Sequence, residues 1–111
     1  MLAAWDAWGG PATAKRLNGM FALAVWDTQD RVLTLVRDRL GIKPLYWGQF
    51  DGAFLFGSDL SALSAHPDWR PKLNRHAATA YFRYAHIPGS ASIYDGVSQL
   101  SPGTFLTIGS D

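Results

Sequence analysis

The run Met20-Phe-Ala-Leu-Ala-Val-Trp26 constrains this chain more than any other segment: seven apolar residues in a row, preceded by Gly19 and followed by Asp27-Thr-Gln-Asp30. A run so short and so bounded reads as a β-strand buried on both faces, although period alone does not separate it from a buried helix segment. Arg31-Val-Leu-Thr-Leu-Val36 returns with β-branched residues, so the two segments predict a hairpin around a Thr28-Gln29 turn. A second hairpin follows. Leu45-Tyr-Trp47 and Ala53-Phe-Leu-Phe56 flank Gly48–Gly52, in which Asp51-Gly52 has the chemistry of a tight hairpin turn.

Helical signals surround these strands. Leu2 to Trp8 is apolar at helical spacing and stops at Gly9-Gly10-Pro11; with no cap at its start, it carries the expectation that the real N-terminus lies further upstream or that the first turn frays. Ala12 to Leu17 forms a second short helix, with Lys15 and Arg16 near the C-terminal end, where cations suit the dipole. Ser58 caps a helix through about Ala65, and Asn74 one through about Tyr84, with Leu73, Ala77, Ala80, Tyr81 and Tyr84 on one face. Ile87-Pro-Gly-Ser-Ala-Ser is a loop, and Ser101-Pro-Gly103 leads into a last strand, Thr104 to Ile108. The fold class is α+β, mainly antiparallel strands with helices outside them.

Composition narrows the chemistry. At 48% hydrophobic residues the 111-residue chain can bury a core, and ten scattered cations against nine acids give a net charge of +1. That pattern points to neither nucleic acid nor an acidic membrane. No stretch reaches the roughly 18 apolar residues of a membrane span, and the first residues lack the charged start and apolar core of a secretory signal. A cytoplasmic location is the expectation. Cysteine is absent, which removes disulfides, zinc–thiolate sites and thiol nucleophiles. Glutamate is absent too, leaving carboxylate chemistry to Asp6, Asp27, Asp30, Asp38, Asp51, Asp59, Asp68, Asp95 and Asp111.

The densest chemistry lies in Arg37-Asp-Arg-Leu-Gly-Ile-Lys-Pro-Leu-Tyr46. Arg37, Arg39 and Lys43 are able to gather a carboxylate or phosphate. Against this stands a structural reading, which the spacing favours: an Arg–Asp ion pair pins a tight loop, Gly41 takes positive φ, and Pro44 fixes the exit. No glycine-rich phosphate string occurs, and no G-x-S-x-G. His66, His76 and His86 are ten residues apart, which fits neither zinc spacing nor one helix face, so no metal site is expected. His66 and His76 read as surface or capping residues, and His86 as a cap on the last carbonyls of a helix. The aromatic residues read as core filling, not a stacking platform for bases.

Taken together, Asn18-Gly-Met-Phe-Ala-Leu-Ala-Val-Trp-Asp27 and Arg37 to Tyr46 resemble the consecutive signature of the glutaminase domain of glutamine-hydrolysing asparagine synthetases. Phe56-Gly-Ser-Asp-Leu-Ser-Ala-Leu63, the stretch Leu73 to Tyr84, Ile87-Pro-Gly89, Ile93 to Val97 and Leu100 to Gly103 extend the likeness over nearly the whole chain. The Arg37 loop by itself marks only the class II glutaminase group; Tyr81 to Gly103 favours the synthetase. Asp59 stands where the family has Glu, and Ser61 where it has Lys.

The resemblance implies an N-terminal-nucleophile fold of four layers, antiparallel sheets flanked by helices. It implies an enzyme whose leading cysteine attacks glutamine and whose ammonia passes to aspartate activated by ATP, with Mg, in a C-terminal synthetase domain. Residues 1–111 then correspond to a partial type 2 glutamine amidotransferase domain, its front half with the catalytic cysteine missing. Catalytic and substrate-binding residues are expected to be absent, no cofactor is expected in this chain, and it is expected to be inactive alone. Met20 and Ile42 match positions near the exit of the ammonia conduit, with plain core packing as the competing reading. Glutamine and aspartate are the implied substrates of the whole enzyme, and a homodimer is one assembly left open. Two other readings stand: the glutaminase half of a class II amidotransferase with another acceptor, and a non-catalytic interaction module.

Overall fold

Gly9 holds φ at 75°, a value costly for any other residue, and there the first helix ends. In the computed structural model, which describes residues 1–109, α1 spans Leu2–Trp8 and α2 spans Gly10–Arg16. Pro11 in the first turn of α2 gives up an N–H that has no helical partner anyway. The helices are tied by the buried Thr13 hydroxyl, which donates to the Ala4 carbonyl at 2.9 Å.

These helices belong to the first of two units, Met1–Lys43 with the segment from Pro102 onward; the second is Pro44–Ser101. The sheet of the first unit is antiparallel, in the order β1 (Ala22–Asp27), β2 (Val32–Arg37), β8 (Phe105–Gly109). Leu35 lies opposite Ala24 on one side and Leu106 on the other, and is fully buried.

Two expectations are corrected here. The run from Met20 to Trp26 does form a strand, from Ala22, but it is not buried on both faces: Met20 is 59% and Trp26 52% exposed. The reason is position. Among the described residues β1 has one neighbouring strand, so its side chains are covered from one side only: Leu23 and Val25 are half-buried and Ala24 and Trp26 exposed, whereas β2, flanked on both sides, buries Leu35 and Val36. The hairpin turn is also wider than Thr28-Gln29. Asp27 pairs with Val32, its carboxylate accepts the amides of Gln29 and Asp30 at 2.9 Å each, and Arg31 takes φ 55°.

In the second unit, β3 (Tyr46–Phe50) and β4 (Ala53–Gly57) meet through Asp51 and Gly52, both at positive φ, the two-residue turn whose twist matches the strands. The other edge of β3 carries β7 (Val97–Gln99), giving the order β4-β3-β7. A β-carbon built on Gly48 would lie 2.5 Å from the Gly96 carbonyl oxygen, so glycine is what lets the backbones approach there. A two-residue ladder joins β5 (Lys72–Leu73) to β6 (Tyr94–Asp95). Trp69 packs on Phe50 at 5.1 Å and edge-on to Tyr94 at 5.5 Å between ring centres.

Helix α3 (Leu60–Ser64) is capped by Asp59, whose carboxylate accepts the Ser61 amide at 2.8 Å; Ser58, the expected cap, lies one residue too early. Helix α4 (Arg75–Tyr84) is capped as expected by Asn74, whose side-chain oxygen accepts the Ala77 amide at 3.0 Å. Of its expected apolar face only Ala77 is buried; Leu73, Tyr81 and Tyr84 are each more than half exposed. The mixture of helices and antiparallel sheets is α+β, as expected, and no helix among the described residues is long and apolar enough to cross a membrane.

Candidate functional site

The loop that leaves β2 is organised by one carboxylate. Asp38 is 1% exposed, and its two oxygens accept four backbone N–H groups: Leu40 and Ile42 on Oδ1 at 3.1 Å each, Lys43 on Oδ2 at 3.1 Å and Phe21 on Oδ2 at 3.3 Å. Its own N–H donates to the Phe21 carbonyl at 3.0 Å, and its carbonyl accepts from Gly41 and Gly103. Burial pushes the carboxyl up, but the amides of Lys43, Ile42, Phe21 and Leu40 together pull it further down, so it sits below the usual carboxylate range.

Arg37 completes the clamp from the other side. Nearly buried, it donates from Nε to the Lys43 carbonyl at 2.9 Å and from Nη2 to the Gly41 carbonyl at 2.6 Å. The pinned loop is therefore what the sequence favours, with a different means: the Asp38 oxygens meet backbone donors and the Arg37 fork meets backbone acceptors, in place of an ion pair between the two. Gly41 takes φ +65°, as expected. Pro44 is half-buried and leads into β3.

The alternative reading of this loop, an anion-gathering cluster, divides. Arg37 and Arg39 share a cavity of about 120 Å³ with Lys15, but the Arg37 fork is given to carbonyls, Arg39 Nη2 donates to the Lys15 carbonyl at 2.6 Å, and Lys43 does not line it.

Met20 and Ile42 come together. Both line a cleft of about 240 Å³ with Leu17, Asn18, Gly19, Phe21, Arg39 and Leu40. Asp38 is the cause, since it holds the amides of both Phe21 and Ile42 and so sets Met20 and Ile42 on the same cleft. Each is more than half exposed.

None of the histidines is among the residues lining these two cavities. His66 Nδ1 accepts the Asp68 amide at 3.2 Å, His76 is exposed on α4, and His86 Nδ1 lies 3.1 Å from the Tyr84 carbonyl. No group suited to a metal occurs among the described residues. Of the carboxylates, Asp27 and Asp59 hold local amides, and Asp111 lies outside the described residues. Among the described residues, two buried polar ones were not singled out in the sequence, Thr13 of α2 and Ser92; the hydroxyl of Ser92, 2% exposed, donates to the Tyr94 carbonyl and accepts the Tyr94 amide. A serine flanked by small and apolar residues gives no signal of that.

A family model described as a glutamine amidotransferase domain matches residues 1–111. Asparagine synthetase [glutamine-hydrolyzing] 3 of Bacillus subtilis (strain 168) is 38% identical over 97 residues, covering 86% of this chain and 16% of that protein. A putative asparagine synthetase [glutamine-hydrolyzing] 2 of Methanocaldococcus jannaschii is 34% identical over 88 residues, 78% of this chain and 17% of that protein. A putative asparagine synthetase [glutamine-hydrolyzing] of Mycobacterium tuberculosis (strain H37Rv) is 32% identical over 114 aligned residues, 100% of this chain and 17% of that protein. The chain thus spans about a sixth of the length of these curated relatives.

Proposed function

The chain belongs to the glutamine amidotransferase domain family, and we propose from that membership that it serves as part of the glutaminase half of a glutamine-hydrolysing asparagine synthetase. The observation that carries this reading is the match over all 111 residues together with relatives whose names state that chemistry. The whole enzyme would hydrolyse glutamine and deliver the ammonia to aspartate activated by ATP. ATP and Mg would be held by the synthetase domain, and the setting would be the cytoplasm. A homodimer is compatible with this role. The fold would be part of a four-layer N-terminal-nucleophile sandwich.

These 111 residues contain no cysteine, so they supply no thiol to attack an amide, and alone they would release no ammonia from glutamine. Their proposed contribution is the cleft between Met20 and Ile42, as part of the route by which ammonia leaves. Ammonia is a nucleophile only while unprotonated. The side chains of Met20, Ile42, Leu17, Leu40 and Phe21 offer it no proton.

The test is made in the complete synthetase. Ile42→Asp and Met20→Lys should lower glutamine-dependent asparagine formation about tenfold or more while glutamate release and synthesis from free ammonium persist. Asparagine and glutamate appearing in the same ratio as in the wild type in both variants would remove the conduit role. No glutamine-dependent asparagine from the unaltered enzyme would remove the synthetase reading itself.

A further inference from the structure

Within the second unit, Tyr46 on β3 lies directly opposite Gln99 on β7, so both side chains leave the same face of the sheet. That face forms one wall of a cavity of about 340 Å³, within the range of small-molecule sites, and Tyr81 of α4, His86, Ile87 and Ile93 help to close it. The walls are braced. The Gln99 amide donates to the Ser90 carbonyl at 2.7 Å, Ala91 bridges to Ser98, and the buried Ser92 hydroxyl is spent on Tyr94.

The polar groups of the cavity are not spent in this way. Among the described residues, the hydroxyls of Tyr46 and Tyr81 and the carboxamide of Gln99 have no protein hydrogen-bond partner. His86 Nδ1 lies 3.1 Å from the Tyr84 carbonyl, and a carbonyl only accepts, so in the neutral ring the proton sits on Nδ1 and Nε2 is left as an acceptor. Two phenols, a carboxamide and an imidazole nitrogen therefore stand on a wall otherwise formed by apolar side chains and by Ser92, whose hydroxyl is taken up by Tyr94.

We propose that this cavity is a binding site for a small, uncharged, planar ligand that carries a carboxamide or hydroxyl group. The absence of charge follows from the lining, which includes no Asp, Glu, Lys or Arg among the described residues, so a carboxylate or ammonium would lose water there with no opposite charge to offset it. Planarity follows from the two tyrosine rings and the imidazole, which offer stacking faces. Free amino acids, glutamine and asparagine included, fall outside the class because they are zwitterions. The site is separate from the proposed ammonia route, whose residues are not among those lining this cavity.

The probe is benzamide, titrated into ¹⁵N-labelled full chain, with benzoate and benzylamine as charged analogues of nearly the same shape. Benzamide should shift the backbone amides of Ala91, Ser92 and Ile93 with saturation at about 1–10 mM, the affinity expected of so small a ligand. Both charged probes and free asparagine should bind at least tenfold more weakly. Gln99→Leu should weaken benzamide about tenfold, and so should Tyr81→Ala, whose side chain is 52% exposed and whose removal leaves the core intact. Absence of these shifts at 50 mM benzamide, equal binding of the charged probes, or unchanged affinity in a Tyr81→Ala chain of native-like spectrum would each overturn the proposal.

Discussion

Phe21 and Asp38 hold each other twice: the Asp38 amide donates to the Phe21 carbonyl at 3.0 Å, and the Phe21 amide donates back to the Asp38 carboxylate at 3.3 Å. The pair joins the approach to β1 to the loop after β2, which is why two motifs far apart in sequence form one cleft.

Asp38→Asn tests that pair. Each carboxylate oxygen faces two N–H donors, so an amide group in either orientation sets its own NH₂ against donors. The urea midpoint should fall by about 1 M. The change is nearly isosteric, so an unchanged midpoint would show that the carboxylate does not organise the loop.

Acid should act through the same group. The carboxyl lies below its unfolded value of about 4, so its stabilisation is fully present above that pH and is lost as pH falls through the lower folded value. Asp59, lowered by the amide and side chain of Ser61, adds to stability in the same direction. Stability should therefore change little with pH through these groups from about 5 upward and decline below about 4. The decline should be shallower in Asp38→Asn, read from urea midpoints across the pH series.

The sequence carried local chemistry well and sheet position poorly. Helix α1, the Asp51-Gly52 turn and the Asn74 cap are each decided by a few neighbouring residues, and each stands where the sequence places it. An apolar run shows that a strand forms but not how many neighbours it has, so the edge position of β1 was not legible in Met20 to Trp26. The ladders of β5, β6 and β7 run for two or three residues, too short for any period to appear. Ser58 and Asp59 are both competent caps one residue apart, and only backbone geometry chooses between them. The Arg37–Tyr46 loop was legible as a pinned turn, but its means of pinning depends on the path of the backbone around Asp38.

Leu35→Ala and Trp26→Ala separate the centre of the first sheet from its edge. Leu35 is fully buried between two strands, and truncation should cost about 2–5 kcal/mol. Trp26 is larger but 52% exposed on the edge strand, and its loss should cost less than half as much. Equal losses in chemical denaturation would mean that β1 is buried in solution.

Asn74→Ala removes the oxygen that accepts the Ala77 amide at the start of α4 and should cost about 0.5–2 kcal/mol. Asn74→Asp keeps the acceptor and adds a charge favourable to the helix dipole, so it should retain most of the stability. Helical ellipticity and the thermal midpoint should follow the same order.

Gly41 and Gly52 share positive φ but differ in surroundings, and alanine at each position distinguishes backbone strain from packing. Gly52, at φ +84°, has nothing within 4 Å of a built β-carbon, so Gly52→Ala meets only the conformational penalty of about 1–2 kcal/mol. At Gly41, φ +65°, the same carbon would lie 2.6 Å from Cγ of Pro102 and 3.1 Å from Cζ of Arg37. The proline ring is stiff and the Arg37 fork is fixed on two carbonyls, so neither yields without breaking the clamp. Gly41→Ala should therefore lower stability by at least twice as much as Gly52→Ala in urea denaturation. In the complete synthetase it should also reduce the coupling of glutamine use to product, because Ile42 moves with the loop. Equal losses at the two glycines would show that the loop relaxes around the added methyl and that Arg37 does not hold it rigidly.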